Sequence, residues 1–122
     1  MERKLEIGSE KYTQVFACDE RGAGNANHIY DINTVEKIDG KPIALLTQVL
    51  FQKGPIKENG VNGCMNEDLI AIVIDRLQGF QDGEYKCREN AIAITKLEEA
   101  LLWLRKRTMD RERRGVEGTS TK

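Results

Sequence analysis

The stretch "NEDLIAIVIDRLQGFQ", residues 66–81, decides the fold because its apolar residues follow a helical period rather than a strand period. They recur at intervals of three and four, as an amphipathic helix requires: Leu69, Ile70, Ile72, Val73, Leu77 and Phe80. Asn66 is suited to the N-cap, and Glu67 and Asp68 suit the positive end of the helix dipole. The sequence therefore predicts a first helix over about 66–81.

The residues that follow predict a second helix. "QDGEYKC", residues 81–87, supplies a stop, with Gly83 able to take a positive φ. From Arg88 to about Arg114 neither Gly nor Pro interrupts the chain, which allows a helix roughly 40 Å long. One face is apolar, and its members are Ala93, Ile94, Leu97, Ala100, Leu101 and Leu104. We predict a two-helix antiparallel hairpin over 66–114, with a tail that is solvated or held by another subunit.

The residues before the hairpin predict strands. "KYTQVFAC" (11–18), "HIYDINTVEKI" (28–38) and "PIALLTQVLFQ" (42–52) are rich in β-branched and aromatic residues. The turns between them, "DERGAGNAN" (19–27) and the pair Asp39 and Gly40, are short and favour an antiparallel meander. The predicted fold class is α+β: a single domain, 1–122, with a β-sheet over about 11–53 packed on the hairpin.

The composition excludes several classes of protein. The net charge of -1, with 32% charged residues, gives no overall attraction for nucleic acid or an anionic membrane. Three widely spaced cysteines, Cys18, Cys64 and Cys87, indicate neither a disulfide framework nor a zinc site. No apolar run approaches the roughly 20 residues of a membrane span. We expect a soluble intracellular protein with reduced thiols.

Two glycine-rich stretches invite a functional interpretation. "FQKGPIKENGVNG", residues 51–63, is either a joint between sheet and helix or a loop that also touches a ligand, and its turn chemistry favours the joint. It lacks the Gly-Lys-Ser/Thr ending of a nucleoside-triphosphate loop. "RGAGNAN", residues 21–27, lacks a third glycine and a following helix, so it is interpreted as a hairpin turn.

Catalytic chemistry finds little support. His28 has no partner at a spacing typical of a triad or metal site, and we expect it to pack or to form a hydrogen bond at a strand start. Glu98 and Glu99 point roughly 100° apart on a helix and cannot flank one bond. We therefore predict no catalytic residues, no metal site and no cofactor.

A binding surface is better supported. Arg107, Arg111 and Arg114 fall on one helical face and form a basic ridge suited to phosphates, although Asp110 and Glu112 leave open an ordinary balanced surface. Phe80 lies at the end of the first helix, where its ring could stack on a base. Asn90 carries an amide that can recognise an adenine edge. Together these residues indicate a nucleotide pocket.

Four linked segments resemble a known family. "FQKGPIKENGVNG", "NEDLIAIVIDRLQGFQ", "CRENAIAITKLEEALLWLRKRT" and "DRERRGVEG" closely resemble the phage Thoeris anti-defence sponges of the first type, whose hairpin is similar to that of anti-CBASS cyclic-nucleotide sponges. The resemblance implies sequestration, without cleavage, of glycocyclic ADP-ribose made by TIR-domain enzymes. It also implies homo-oligomers, either dimers or trimers of dimers, acting in the host cytoplasm, and in some relatives binding of cyclic trinucleotides at separate sites.

The same resemblance assigns the ligand residues. Phe80 corresponds to the family's aromatic near the hairpin turn, Asn90 to its amide on the second helix, and Arg107 to its basic residue in "LRKRT". We hypothesise that adenine stacks on Phe80, that Asn90 recognises its edge or the ribose, and that Arg107 with Arg111 holds the diphosphate. Two alternatives stay open: a hydrolase of the same signal, and a nucleic-acid-binding module that uses the basic ridge.

Overall fold

The computed structural model describes residues 2–8, 11–35 and 43–122. The chain divides into two compact units, Met1–Cys64 and Met65–Lys122. The first contains the β-sheet and the second the helical hairpin, which confirms the α+β class and the order of its parts. Packing of the sheet on the hairpin, and a single domain over 1–122, stay predictions.

The first unit is built on a four-stranded antiparallel sheet in the order β1-β2-β3-β4. Sequential strands are neighbours, as the short connections predict. The strands are β1 (Arg3–Lys4), β2 (Thr13–Ala17), β3 (Ile29–Thr34) and β4 (Leu45–Leu50). Three of them fall inside the predicted strand segments. β1 was not predicted because it is two charged residues long and carries no apolar alternation.

The connection between β2 and β3 is a hairpin turn containing a short 3-10 segment, Ala23–Asn25, as expected for "RGAGNAN". Asp19 organises it, because its carboxylate accepts hydrogen bonds from the amides of His28 and Ile29. His28 is 7% exposed and its Nε2 lies 3.1 Å from the carbonyl oxygen of Ala23. The expected structural role of His28 is confirmed. The predicted turn at Asp39 and Gly40 lies outside the described residues.

The glycine-rich loop, residues 51–63, uses much of its hydrogen-bonding capacity internally. Asn62 exchanges two hydrogen bonds with the backbone of Lys53, and Gln52 donates to the carbonyl of Gly60 at 2.8 Å. A Cβ on Gly63 would lie 2.3 Å from the carbonyl carbon of Phe51, so only glycine fits there. The loop also contains an unpredicted helix, α1 (Ile56–Asn59). These contacts favour the structural interpretation over a phosphate cradle.

The second unit consists of α2 (Asn66–Gln81) and α3 (Arg88–Arg113). The ends of both helices agree with the predicted ends to within one residue, but two predictions about how α2 begins and ends were wrong. The N-cap is Met65, whose amide donates to the Asp68 carboxylate at 2.8 Å, so Asn66 is already helical. Helix α2 ends through Asp82 at φ -82°, and Gly83 does not take the left-handed conformation. Gly115, at φ 74°, does so after α3.

Packing between the two helices is partial. The predicted apolar face of α3 is half-buried along its length, whereas Ile72 and Val73 of α2 are exposed rather than packed. The reason is geometric: α2 is apolar around most of its circumference at 69–74, and one partner helix covers a single stripe. No residue of α2 or α3 is fully buried. In the described part of the chain, no helix is long and apolar enough to span a membrane.

Candidate functional site

The hairpin turn places two of the predicted residues together at one end of the second unit. Gln81 closes this turn, since its side chain donates to the carbonyl of Cys87 at 3.0 Å and accepts from the Cys87 amide at 2.9 Å. Phe80 precedes this bridge and Asn90 follows it by a few residues. The backbone amide of Asn90 donates to Cys87 Sγ at 3.4 Å, which caps α3. Phe80 and Asn90 therefore flank one fixed turn.

Phe80 presents an accessible ring. It is 38% exposed, and the guanidinium carbon of Arg76 lies 5.3 Å from its centroid. This distance is that of a cation–π contact on one side of the ring. The hydrogen bonds in the described hairpin leave the side-chain amide of Asn90 unengaged. The turn thus combines a planar apolar surface with a free amide donor and acceptor.

The other two predicted residues line a cationic cleft near the C-terminal end of α3. The cleft has a volume of about 550 Å³, and its cationic members are Lys106, Arg107, Arg111, Arg114 and Lys122. Its remaining members are Trp103 and Asp110. Asp110 pairs with Lys106 at 3.2 Å and with Arg113 at 3.4 Å, so its carboxylate is already engaged. The cleft therefore carries a net positive charge, which favours an anion site over a balanced surface.

Arg111 has a structural role inside this cleft. Its Nη2 donates to the carbonyl oxygens of Val116 and Thr119, both at 3.0 Å. Arg114 likewise donates to the carbonyl of Lys122. The segment after α3 is therefore folded back against the helix rather than fully solvated. Arg107 is exposed, and among the described residues no hydrogen bond or ion pair holds its guanidinium.

The four predicted residues form two pairs rather than one cluster in a single chain. Asn90 and Arg107 lie seventeen positions apart on the same helix, a separation of about 25 Å at 1.5 Å per residue. A single small-molecule ligand does not bridge that distance. One chain therefore supplies a stacking and amide pair at the turn, and a cationic pair at the far end of α3.

Two residues of these surfaces were missed from the sequence: Arg76, which lies over Phe80, and Trp103, which is part of the cleft. A signal for both was available. Arg76 precedes Phe80 by four positions, and Trp103 precedes Arg107 by four, the spacing that brings helical side chains together. In the sheet unit, Asn27 is nearly buried between Arg3 and Asp19.

One group of side chains in the first unit resembles a metal-ligand set. Donor atoms of Glu2, Cys18 and Asp31 lie within 4.8 Å of one another. Burial, followed by the neighbouring Asp31 carboxyl, raises the pKa of Cys18. A thiol binds metal as the thiolate, and the raised pKa disfavours that form. Gln48 Nε2 also donates to Asp31 Oδ1 at 2.7 Å, which occupies one of the donor oxygens.

The fold defines a small α+β protein built on a helical hairpin. Residues 46–109 match the family Acb2/Tad1, hairpin domain, and the chain belongs to that family. Over 89 residues it is 64% identical to Thoeris anti-defense 1 of Bacillus phage SBSphiJ7. That alignment covers 73% of this chain and 60% of the phage protein, so the matched part spans less than two thirds of that relative.

Proposed function

We propose that the protein binds and sequesters glycocyclic ADP-ribose, without cleaving it, and thereby blocks Thoeris immunity in the phage host. The observation that carries the proposal is the cationic cleft that Arg107 and Arg111 line on a hairpin of the Acb2/Tad1 family. The 64% identity to a protein named Thoeris anti-defense 1 supports the same signalling context. The proposed location is the host cytoplasm, where such a signal acts.

Each of the four residues has a role in the proposed capture. Adenine stacks on the accessible face of Phe80, and the free amide of Asn90 hydrogen-bonds the adenine edge or the adjoining ribose. Arg107 and Arg111 hold the diphosphate through charge-assisted hydrogen bonds, which are shorter and stronger than neutral ones. Arg107 is accessible for this, while Arg111 is already oriented by Val116 and Thr119. A preoriented guanidinium loses less side-chain entropy on binding.

The separation of about 25 Å along α3 implies that the complete site takes its two pairs from two copies of the chain. An antiparallel arrangement of two hairpins brings the turn of one copy to the far end of α3 of the other. Apolar side chains that are exposed on the hairpin could be buried in such contacts: Ile72, Val73, Leu102 and Met109. We therefore propose a homo-oligomer, a dimer or a trimer of dimers.

Calorimetric titration with glycocyclic ADP-ribose isomers tests the proposal. A sponge must bind below the working concentration of the signal, so we expect a nanomolar Kd, about -12 kcal/mol. Linear ADP-ribose, which has the same base and diphosphate, is the matched control and should bind much more weakly. Absence of heat with every isomer would contradict the proposal.

Two follow-up titrations test a possible second ligand, a cyclic trinucleotide, and the alternative of nucleic-acid binding. A cyclic trinucleotide added to ligand-saturated protein should give further heat if it has a separate site. Double-stranded DNA and RNA should bind weakly or not at all at physiological salt. Tight and steeply salt-dependent binding to either polymer, with no affinity for the cyclic nucleotide, would instead support a nucleic-acid-binding module.

A further inference from the structure

Trp103 is an exposed indole in a charged surrounding. It is 66% exposed, and it lines the same cleft as Arg107 and Arg111. Tryptophan is usually largely buried, and its exposure at the wall of a concave site differs from an isolated apolar residue on a flat surface. The position of Trp103 therefore fits a ligand that has both an aromatic and an anionic part.

The charges around Trp103 define the chemistry of that ligand. Five cationic side chains and one carboxylate line the cleft, and the carboxylate of Asp110 is already paired with Lys106 and Arg113. An apolar protein surface placed here would desolvate guanidinium groups without compensation. A planar, anionic ligand would avoid that cost, since its ring contacts the indole and its phosphates contact the cations.

The spacing along the helix fits one small ligand. Trp103, Arg107 and Arg111 recur every four residues and so lie on one stripe of α3. Each step advances about 6 Å along the axis, which places Arg107 and Arg111 about one and two turns beyond Trp103 on the helix. The cleft volume of about 550 Å³ lies within the roughly 300–1,000 Å³ of small-molecule sites.

We propose that Trp103 is a ligand-contact residue that stacks on the base of the nucleotide whose phosphates Arg107 and Arg111 hold. This inference rests on the proposed function and adds a residue to its site. A purine has two faces. In the site formed by two copies, Phe80 covers one face and Trp103 of the other copy covers the second, so that the base lies between two aromatic rings.

Trp103 is the sole tryptophan of the chain, and its intrinsic fluorescence therefore reports on this position alone. Titration with glycocyclic ADP-ribose should quench the emission saturably, with the same midpoint as the calorimetric titration. Inorganic diphosphate, which has charge but no base, serves as the probe without stacking and should leave the emission nearly unchanged. Calorimetric binding of glycocyclic ADP-ribose without any change in emission would overturn the inference.

Substitution separates stacking from mere proximity. Trp103→Leu should weaken calorimetric affinity for glycocyclic ADP-ribose by about 10- to 100-fold, and Trp103→Phe should recover most of the loss. Tyr12→Leu is the matched control, because Tyr12 is an aromatic side chain that is 60% exposed in the first unit and lines neither cleft of the hairpin. Its affinity should stay unchanged.

The outcomes distinguish this inference from the function on which it rests. Wild-type affinity in Trp103→Leu overturns the role of Trp103 and leaves the proposed function intact. No binding by the wild-type protein overturns both. If Trp103→Leu does not fold, the calorimetric affinity of Trp103→Phe and the quenching of wild-type fluorescence test the role of Trp103 instead. A change of oligomeric state in sedimentation of Trp103→Leu, with ligand affinity per assembled site preserved, overturns the inference and assigns Trp103 to a subunit contact.

Discussion

The guanidinium carbon of Arg76 lies 5.3 Å from the centre of the Phe80 ring. Phe80 follows Arg76 by about one turn of α2. The contact lies on one side of the ring, and we propose that a base stacks on the other side. A guanidinium over an aromatic face is attracted by the quadrupole of the ring. Phe80 is therefore an exposed aromatic side chain that already contacts a cation, and we propose it as the stacking surface of the site.

Phe80→Ala should weaken binding of glycocyclic ADP-ribose by about 1–3 kcal/mol, because one stacking contact is lost. The fold should be retained, since the ring is already partly exposed. Tyr12→Ala is the matched control: Tyr12 is 60% exposed and carries a similar contact, with Lys11 Nζ 5.1 Å from its ring. Calorimetry on both variants measures the effect. Equal affinities for Phe80→Ala and Tyr12→Ala would remove Phe80 from the site.

Arg107 and Arg111 should differ in their effect on stability. Either residue replaced by Ala should lose roughly 1.5–3 kcal/mol of binding energy, the scale of hydrogen bonds to charged groups. Only Arg111→Ala should also release residues 115–119, because Arg111 holds the carbonyls of Val116 and Thr119. Amide hydrogen exchange on the free proteins measures this release. Faster exchange of the segment in Arg107→Ala than in Arg111→Ala would contradict the assignment.

The proposal that two copies share one site can be tested by complementation. Phe80→Ala and Arg107→Ala proteins should each bind poorly alone. Refolded together in equal amounts, about half of the dimers are mixed, and each mixed dimer holds one intact site of two. About a quarter of wild-type binding capacity should return, measured as high-affinity stoichiometry. No recovery, despite demonstrated mixed dimers, would mean that the two pairs do not complete one site between copies.

Acid should destabilise the sheet unit through Asp19. Burial raises the pKa of this carboxyl, but hydrogen bonds from His28, Ile29 and Asn27 outweigh it and lower the pKa below the ordinary 3.8. A depressed pKa contributes stability that is present above the ordinary value and is lost as pH falls through the folded value. Asp19→Asn should lower Tm at neutral pH, and the difference from wild type should shrink as the pH falls below 3.8. Glu20→Gln is the exposed neighbouring control, and an equal loss of Tm in both variants would contradict this account.

The two helices were largely predictable from the sequence. The boundaries of α2 and α3 follow from apolar period, a polar turn and Gly115, all of which are local signals. The strand positions followed as well, except for β1, whose two residues pair with Phe16 and Ala17 across the sheet. Such pairing is a tertiary effect and leaves no pattern in a two-residue segment.

The candidate site was less predictable. Residue types and the family resemblance predict Phe80, Asn90, Arg107 and Arg111 as ligand residues, but could not reveal that these four lie as two pairs separated along α3. The contact between Arg111 and the tail could not be predicted either. It uses the backbone carbonyls of Val116 and Thr119, and every residue type has such a carbonyl. Exposure of Ile72 and Val73 likewise depends on how many helices cover α2.

Recovery of the captured ligand tests the central claim most directly. Protein is mixed with a small excess of glycocyclic ADP-ribose, unbound ligand is removed by filtration, the protein is denatured by heat, and the supernatant is resolved by chromatography with mass detection. The account predicts that ligand equal to the number of binding sites is released with its mass and retention time unchanged. Linear or cleaved products in the supernatant, or no retained ligand after filtration, would contradict it.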